Sequence, residues 1–128
     1  MHVCLSSEAE TELRRYKDLD RDVGIALEAS IEMLALDPNS VELLDGFSIQ
    51  HVVALHRRGV RLSRLKYENH FHGVRVLFLP ISSRDCVFVT GIHGRGDLGL
   101  GGSYDFFREP FVRAERYWRV RESLCKTS

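Results

Sequence analysis

Arg75 stands in the middle of Val74-Arg75-Val76-Leu77-Phe78-Leu79, a stretch that is otherwise apolar. A guanidinium there must leave the sheet on one face and meet an anion, because burying it unpaired is prohibitive. An internal carboxylate such as Glu68 or Asp85 satisfies that need, and so does a bound phosphate. A second group lies further on, where His93-Gly94-Arg95-Gly96-Asp97-Leu98-Gly99-Leu100-Gly101-Gly102-Ser103 places five glycines in eleven residues. It follows a run that reads as a strand, and loops at strand ends often carry functional groups. Gly94, Gly96 and Gly99 match a dinucleotide fingerprint only in letters, since that motif needs a helix opening at once inside a parallel βαβ unit. Arg95-Gly96-Asp97 also spells an adhesion tripeptide, a chance occurrence in an intracellular chain. His70-x-His72, with His93 as a third imidazole, raises a metal site, but no paired cysteine or carboxylate stands at ligand spacing beside them. No Ser/His/Asp elbow or Cys/His nucleophile pattern is visible.

Charge adds to this reading. The chain carries 18 Lys+Arg against 18 Asp+Glu, yet the first 50 residues hold 4 basic and 11 acidic side chains and the rest hold 14 and 7. Fifteen of the basic residues are arginine, whose planar fork pairs with phosphate. The C-terminal half is therefore suited to a polyanion, and an alternative is that the two halves neutralise each other across the fold. Arg108, Arg113, Arg116, Arg119 and Arg121 either line a basic surface or form a solvated face offset by Glu109, Glu115 and Glu122.

The elements that must position these groups follow from periodicity. Ser7 to Leu36 is helical, with Ala9, Leu13, Tyr16, Leu19, Val23, Leu27, Ile31 and Leu34 on one stripe. The spacing predicts a capping box of Ser7 and Glu10, a break at Gly24, and an end to the region at Asp37-Pro38-Asn39. Two antiparallel helices and one bent helix both fit. Ile49 to Leu55 is a short strand or a turn of helix. Val60 to Tyr67, Val74 to Leu79 and Cys86 to Ile92 read as strands with short, antiparallel connections. A last amphipathic helix starts near Pro110 and carries Phe111, Ala114, Trp118 and Cys125 on one stripe. These pieces predict a single α+β domain over 1–128: an N-terminal helical hairpin on a small twisted antiparallel sheet of three to four strands, with a C-terminal helix.

With 128 residues, 44% of them hydrophobic, the chain is long enough for one core and too short for two domains. Its longest apolar run, Val76 to Ile81, is six residues, far short of a membrane span. The N-terminus lacks the basic and apolar regions of a secretion signal. Cys4, Cys86 and Cys125 are odd in number and far apart, which fits reduced thiols and a cytoplasmic location.

The order of the pieces is informative. An acidic helical region ending in Asp-Pro precedes Leu62-Ser63-Arg64-Leu65-Lys66 and His72-Gly73-Val74-Arg75-Val76-Leu77-Phe78. Then come Val87-Phe88-Val89-Thr90-Gly91-Ile92-His93-Gly94-Arg95, Tyr104 and a helix with Ala114-Glu115-Arg116. This order resembles the RelE/ParE superfamily of bacterial toxins from type II toxin-antitoxin modules, over nearly the whole chain. The resemblance implies an endoribonuclease that cleaves mRNA on the ribosome without metal or other cofactor and is neutralised by a cognate antitoxin. It also implies a site of Arg75, His93, Arg95 and Tyr104, with Arg61, Arg64 and Lys66 as RNA contacts. Cleavage through a ribose 2′-OH needs a base for the hydroxyl, donors for the phosphorane charge and an acid for the leaving 5′-oxygen. Arg75 and Arg95 suit the second task, and His93 or Tyr104 the others. The ParE-like branch, which inhibits DNA gyrase by binding, and a non-toxic nucleotide binder using the glycine loop are the alternatives. The chain departs from the family's usual pattern in its neutral charge and its long glycine loop.

Overall fold

In the computed structural model, residues 2–36, 47–67, 73–94 and 108–125 are described. Chain order is β1 (His2–Leu5), α1 (Ser7–Leu19), α2 (Arg21–Leu34), β2 (Phe47–His51), α3 (Val53–Arg57), β3 (Ser63–Tyr67), β4 (Arg75–Ile81), β5 (Cys86–His93) and α4 (Glu109–Arg119). Among the described residues, five strands make one sheet in the order β1-β5-β4-β3-β2. The α+β architecture, the helical pair and the terminal helix match expectation, and the sheet corrects it. It has more strands than predicted and is mixed, because β1 pairs in parallel with β5, His2 opposite Cys86 and Leu5 opposite Val89. A four-residue edge strand gives too little periodicity to be read, and its pairing is with residues more than eighty positions away.

The helical region divides at Asp20, and the predicted break at Gly24 does not occur. Asp20 has extended backbone, and its carboxylate accepts from Asp22 N and Val23 N, which caps α2. Gly24 lies inside α2 for a packing reason: a Cβ there would come 2.7 Å from Lys17 Cα and 2.6 Å from Lys17 Cγ on α1. Alanine ordinarily gains ~1 kcal/mol over glycine in a helix, yet here Gly24→Ala is expected to destabilise by roughly 1–2 kcal/mol because it wedges two backbones apart. Thermal unfolding of the variant against wild type measures this. The first cap also shifts, from Ser7 to Ser6, whose hydroxyl accepts from Ala9 N and donates to Thr90 O, tying α1 to β5.

Both faces of the sheet are covered. Leu65, Val76, Phe78, Val87, Val89 and Ile92 pack against Ala9, Val23, Leu27, Ile31 and Leu34 from α1 and α2. On the opposite face Leu77, Leu79, Ile81, Cys86 and Phe88 meet Leu55 of α3, Leu62, and Phe111 and Ala114 of α4. The alternation along β4 is the period-two rule at work, and it explains why a strand buried on both faces reads as continuous hydrophobicity. At Leu77/Phe78 the register with β5 slips by a bulge, leaving Leu77 opposite Gly91 and Phe78 opposite Val89.

The expectation of three reduced thiols is also corrected. Cys86, at the start of β5, and Cys125, past the end of α4, form a disulfide, and Cys4 is a free thiol. Their separation of 39 residues carries no spacing signal, and it is α4 lying across β5 that brings them together. Cys125 therefore lies beyond the helix whose stripe it was expected to share. No helix among the described residues is long and apolar enough to cross a membrane.

Candidate functional site

Lys66, Arg75 and His93 stand opposite one another in register across β3, β4 and β5. Directly opposed residues face the same side of a sheet, so the three share a face. Arg64, two positions before Lys66, shares it too. Its guanidinium donates to the amide oxygen of Gln50, its register partner on β2. This is the face that carries α3 and α4, since Arg64 is opposite Leu77 of that cluster. The strip crosses the sheet where β4 begins and β3 and β5 end. Arg64 is held below the ordinary guanidine range, first by burial and then by the positive charge of Arg75. Arg75 Nη1 donates to Gly73 O at 2.5 Å and approaches Val74 O at 3.5 Å. Of its two predicted carboxylate partners, Asp85 lies at the far end of the β4–β5 hairpin, and Glu68 is outside the described residues.

His93 terminates the strip at a cleft of about 510 Å³ lined by Glu12, Arg15, His93, Arg108, Glu109, Pro110 and Arg113. Its ring folds back over Gly91, where a Cβ would fall 2.2 Å from His93 Nε2 and 2.7 Å from Arg113 Nη1. Only 4% of the residue is exposed. His93 Nδ1 lies 3.6 Å from Glu12 Oε2.

Arg113 organises this end of the molecule. Nη1 donates to Glu12 Oε1 at 3.0 Å and to Thr90 O at 3.1 Å, while Nε and Nη2 reach the two carboxylate oxygens of Glu109 at 2.8 and 2.7 Å. Burial by itself depresses a guanidinium, but Glu109 and Glu12 more than offset it and hold Arg113 above its ordinary range. Glu12 Oε1 also accepts from Ile92 N at 3.0 Å. That amide is on the edge of β5 past the end of β1, so one carboxylate of α1 caps an open strand edge and grips α4 from the other side of the sheet. Arg113 thus corrects the reading of the terminal arginines as a surface array. Its i,i+4 spacing from Glu109 was a visible sign of pairing, whereas Glu12, 101 residues away, was not.

One turn earlier on α1, Glu8 accepts from Tyr117 Oη at 2.5 Å and from Arg116 Nη2 at 3.2 Å. The acidic half of the chain therefore does meet the basic half across the fold at these pairs. Burial raises the Glu8 carboxyl, but Tyr117, its own backbone amide and Arg113 outweigh it and draw it below its ordinary 4.5. Burial and then Glu8 push the Tyr117 phenol above its ordinary 10.0. A depressed carboxyl stabilises the fold above its unfolded value and loses that stabilisation as pH falls through the folded one. A raised phenol stabilises below its unfolded value and loses it as pH rises through the folded one. The pair should therefore contribute fully between these limits. In thermal unfolding from about pH 8 to about pH 3, Glu8→Gln is expected to lower the midpoint near neutrality and to flatten the fall below pH 4.5.

Of the residues predicted for the site, Arg75 and His93 are brought together with Arg64 and Lys66. Arg61 is exposed and precedes β3, at the other end of that strand from Lys66. Arg95, Tyr104, the glycine segment beyond Gly94, and the His70/His72 pair lie outside the described residues. Among the described residues no group of three or more His, Cys, Asp or Glu side chains is placed to hold a metal ion. No protein-family profile, curated protein or solved structure matches the chain.

Proposed function

We propose that the Arg64–Lys66–Arg75 strip binds the sugar-phosphate backbone of RNA, and that the protein is a RelE/ParE-type toxin that cleaves mRNA on the ribosome and is neutralised by a cognate antitoxin. The observation that carries this reading is the register: Lys66, Arg75 and His93 opposed across three strands, with Arg64 within electrostatic reach of Arg75. An anion seated between Arg64 and Arg75 relieves their mutual repulsion, and each guanidinium offers paired donors to phosphoryl oxygens. In the cleavage step Arg75 stabilises charge on the phosphorane. Arg95 and Tyr104 enter from the resemblance alone.

The burial of His93 behind Glu12 and Arg113 favours a second reading, since an acid or base must reach the substrate proton. In that reading the chain is a ParE-like toxin that inhibits DNA gyrase by binding. Expression of wild type and of Lys66→Ala/Arg75→Ala in bacteria, with mRNA 5′ ends mapped, separates the two. Cleavage predicts growth arrest with new mRNA ends for wild type only. DNA breaks with intact mRNA select the gyrase reading, and equal arrest by both proteins with new mRNA ends removes the strip from the mechanism.

A further inference from the structure

Among the described residues, a covalent bond and surface contacts join the segment after α4 to the β4–β5 connection. Residues Arg121–Ser123 form a 3-10 turn after α4. Ser83 Oγ donates to the Glu122 carboxylate at 3.1 Å, and Arg84 Nη2 donates to Glu122 O. Arg121 lies 4.3 Å above the Trp118 ring and donates to Trp118 O. Ser83, Arg84 and Glu122 are all exposed, so these contacts are individually weak. Cys86–Cys125 adds a covalent tie. Cys125 has φ of 54°, a left-handed conformation uncommon for a residue with a side chain. Leu124, Cys125, Tyr117 and Trp118 pack against the core cluster that contains Cys86 and Phe88, with the Tyr117 ring 4.9 Å from that of Phe88.

We propose that Cys86–Cys125 is a reversible redox clasp whose opening releases residues 120–125 and uncovers the Cys86/Phe88 end of the sheet. Cys86 is 1% exposed whereas Cys125 is only partly covered, which fixes the direction of attack. A dithiol reductant presents a thiolate to Cys125 Sγ; the new S–S bond forms as the Cys86–Cys125 bond breaks, and the Cys86 thiolate leaves and takes a proton. The reductant's second thiol then attacks its own sulfur in the mixed disulfide, and Cys125 leaves as thiolate and is protonated. Two electrons pass from the dithiol, which ends as a disulfide, to the two cysteines. Cys4, on the neighbouring strand, is a poor competitor because burial pushes its thiol up.

The test uses the full chain in glutathione buffers and in dithiothreitol. Maleimide labelling under denaturing conditions should find one thiol in the oxidised protein and three in the reduced one, out of three cysteines in all. Trp118 is the sole tryptophan, so its emission reports the clasp directly. Reduction should shift that emission to the red and accelerate tryptic cleavage after Arg119 and Arg121 by roughly tenfold. Oxidised glutathione should restore both, Cys125→Ser should resemble the reduced protein in every buffer, and Cys4→Ser should respond as wild type does. Three labelled thiols in oxidised glutathione overturn the proposal. So do emission and cleavage rates that are unchanged by dithiothreitol.

Discussion

Replacing Arg113 with methionine is expected to cost about 3–5 kcal/mol of folding stability, a fall of roughly 10–20 °C in the unfolding midpoint for a chain of this size. Methionine keeps most of the buried volume, so the loss is electrostatic. Removing the guanidinium leaves the Glu12 carboxylate part-buried beside His93, strips one donor from Thr90 O, and separates α4 from the edge of β5. Each of those groups then bears its desolvation cost without its partner. The double variant Glu12→Gln/Arg113→Met should lose less than the sum of its two single variants, because the orphaned charge is gone. Calorimetry or chemical denaturation measures all four proteins. A loss of under about 1 kcal/mol for Arg113→Met, the size of a surface ion pair, would remove Arg113 from its place as the organiser of this end of the fold.

Arg64→Ala/Lys66→Ala/Arg75→Ala is expected to abolish most affinity for single-stranded RNA while leaving the fold intact. The strip contributes charge without filling either core, and its members are only partly buried. Each phosphate neutralised on a single strand contributes about −0.7 to the slope of log K against log salt, so losing three contacts should flatten that slope by about 2. Fluorescence anisotropy with a labelled RNA oligonucleotide, read over a salt series, gives affinity and slope together. Arg119→Ala is the matched control, since Arg119 is an exposed cation paired with Glu115 on α4, outside the strip. If the control weakens binding as much as the triple variant, RNA is attracted by net charge and not by the strip. If the triple variant binds with an unchanged slope, the phosphate contacts lie elsewhere.

The two predictions separate groups that look alike in the primary structure. Arg75 and Arg113 are both arginines amid apolar neighbours. Arg75 is half-buried on a cationic strip, whereas Arg113 is enclosed by Glu12, Glu109 and a carbonyl. Composition suits both to an anion; only packing shows that Arg113 meets two carboxylates of its own chain.

Much of the architecture was legible without coordinates because it is written in local periodicity. The 3.6-residue stripe from Ala9 to Leu34 specified helices, the apolar run around Arg75 specified a central strand, and Pro110 marked the start of α4. The placement of Arg64 and Lys66 on one face followed from their spacing of two. What the tertiary structure alone decided are relations between distant residues. These include the parallel docking of β1 on β5, the register that sets Lys66, Arg75 and His93 in line, and the capture of Arg113 by Glu12. The joining of Cys86 to Cys125 belongs with them. Hydrophobic period reports which side of an element is buried, and it is blind to what covers that side. Glu12 and Arg113, 101 positions apart, meet because α1 and α4 pack on opposite faces of one sheet and reach around its edge, and Cys86 and Cys125, 39 apart, meet because α4 lies across β5.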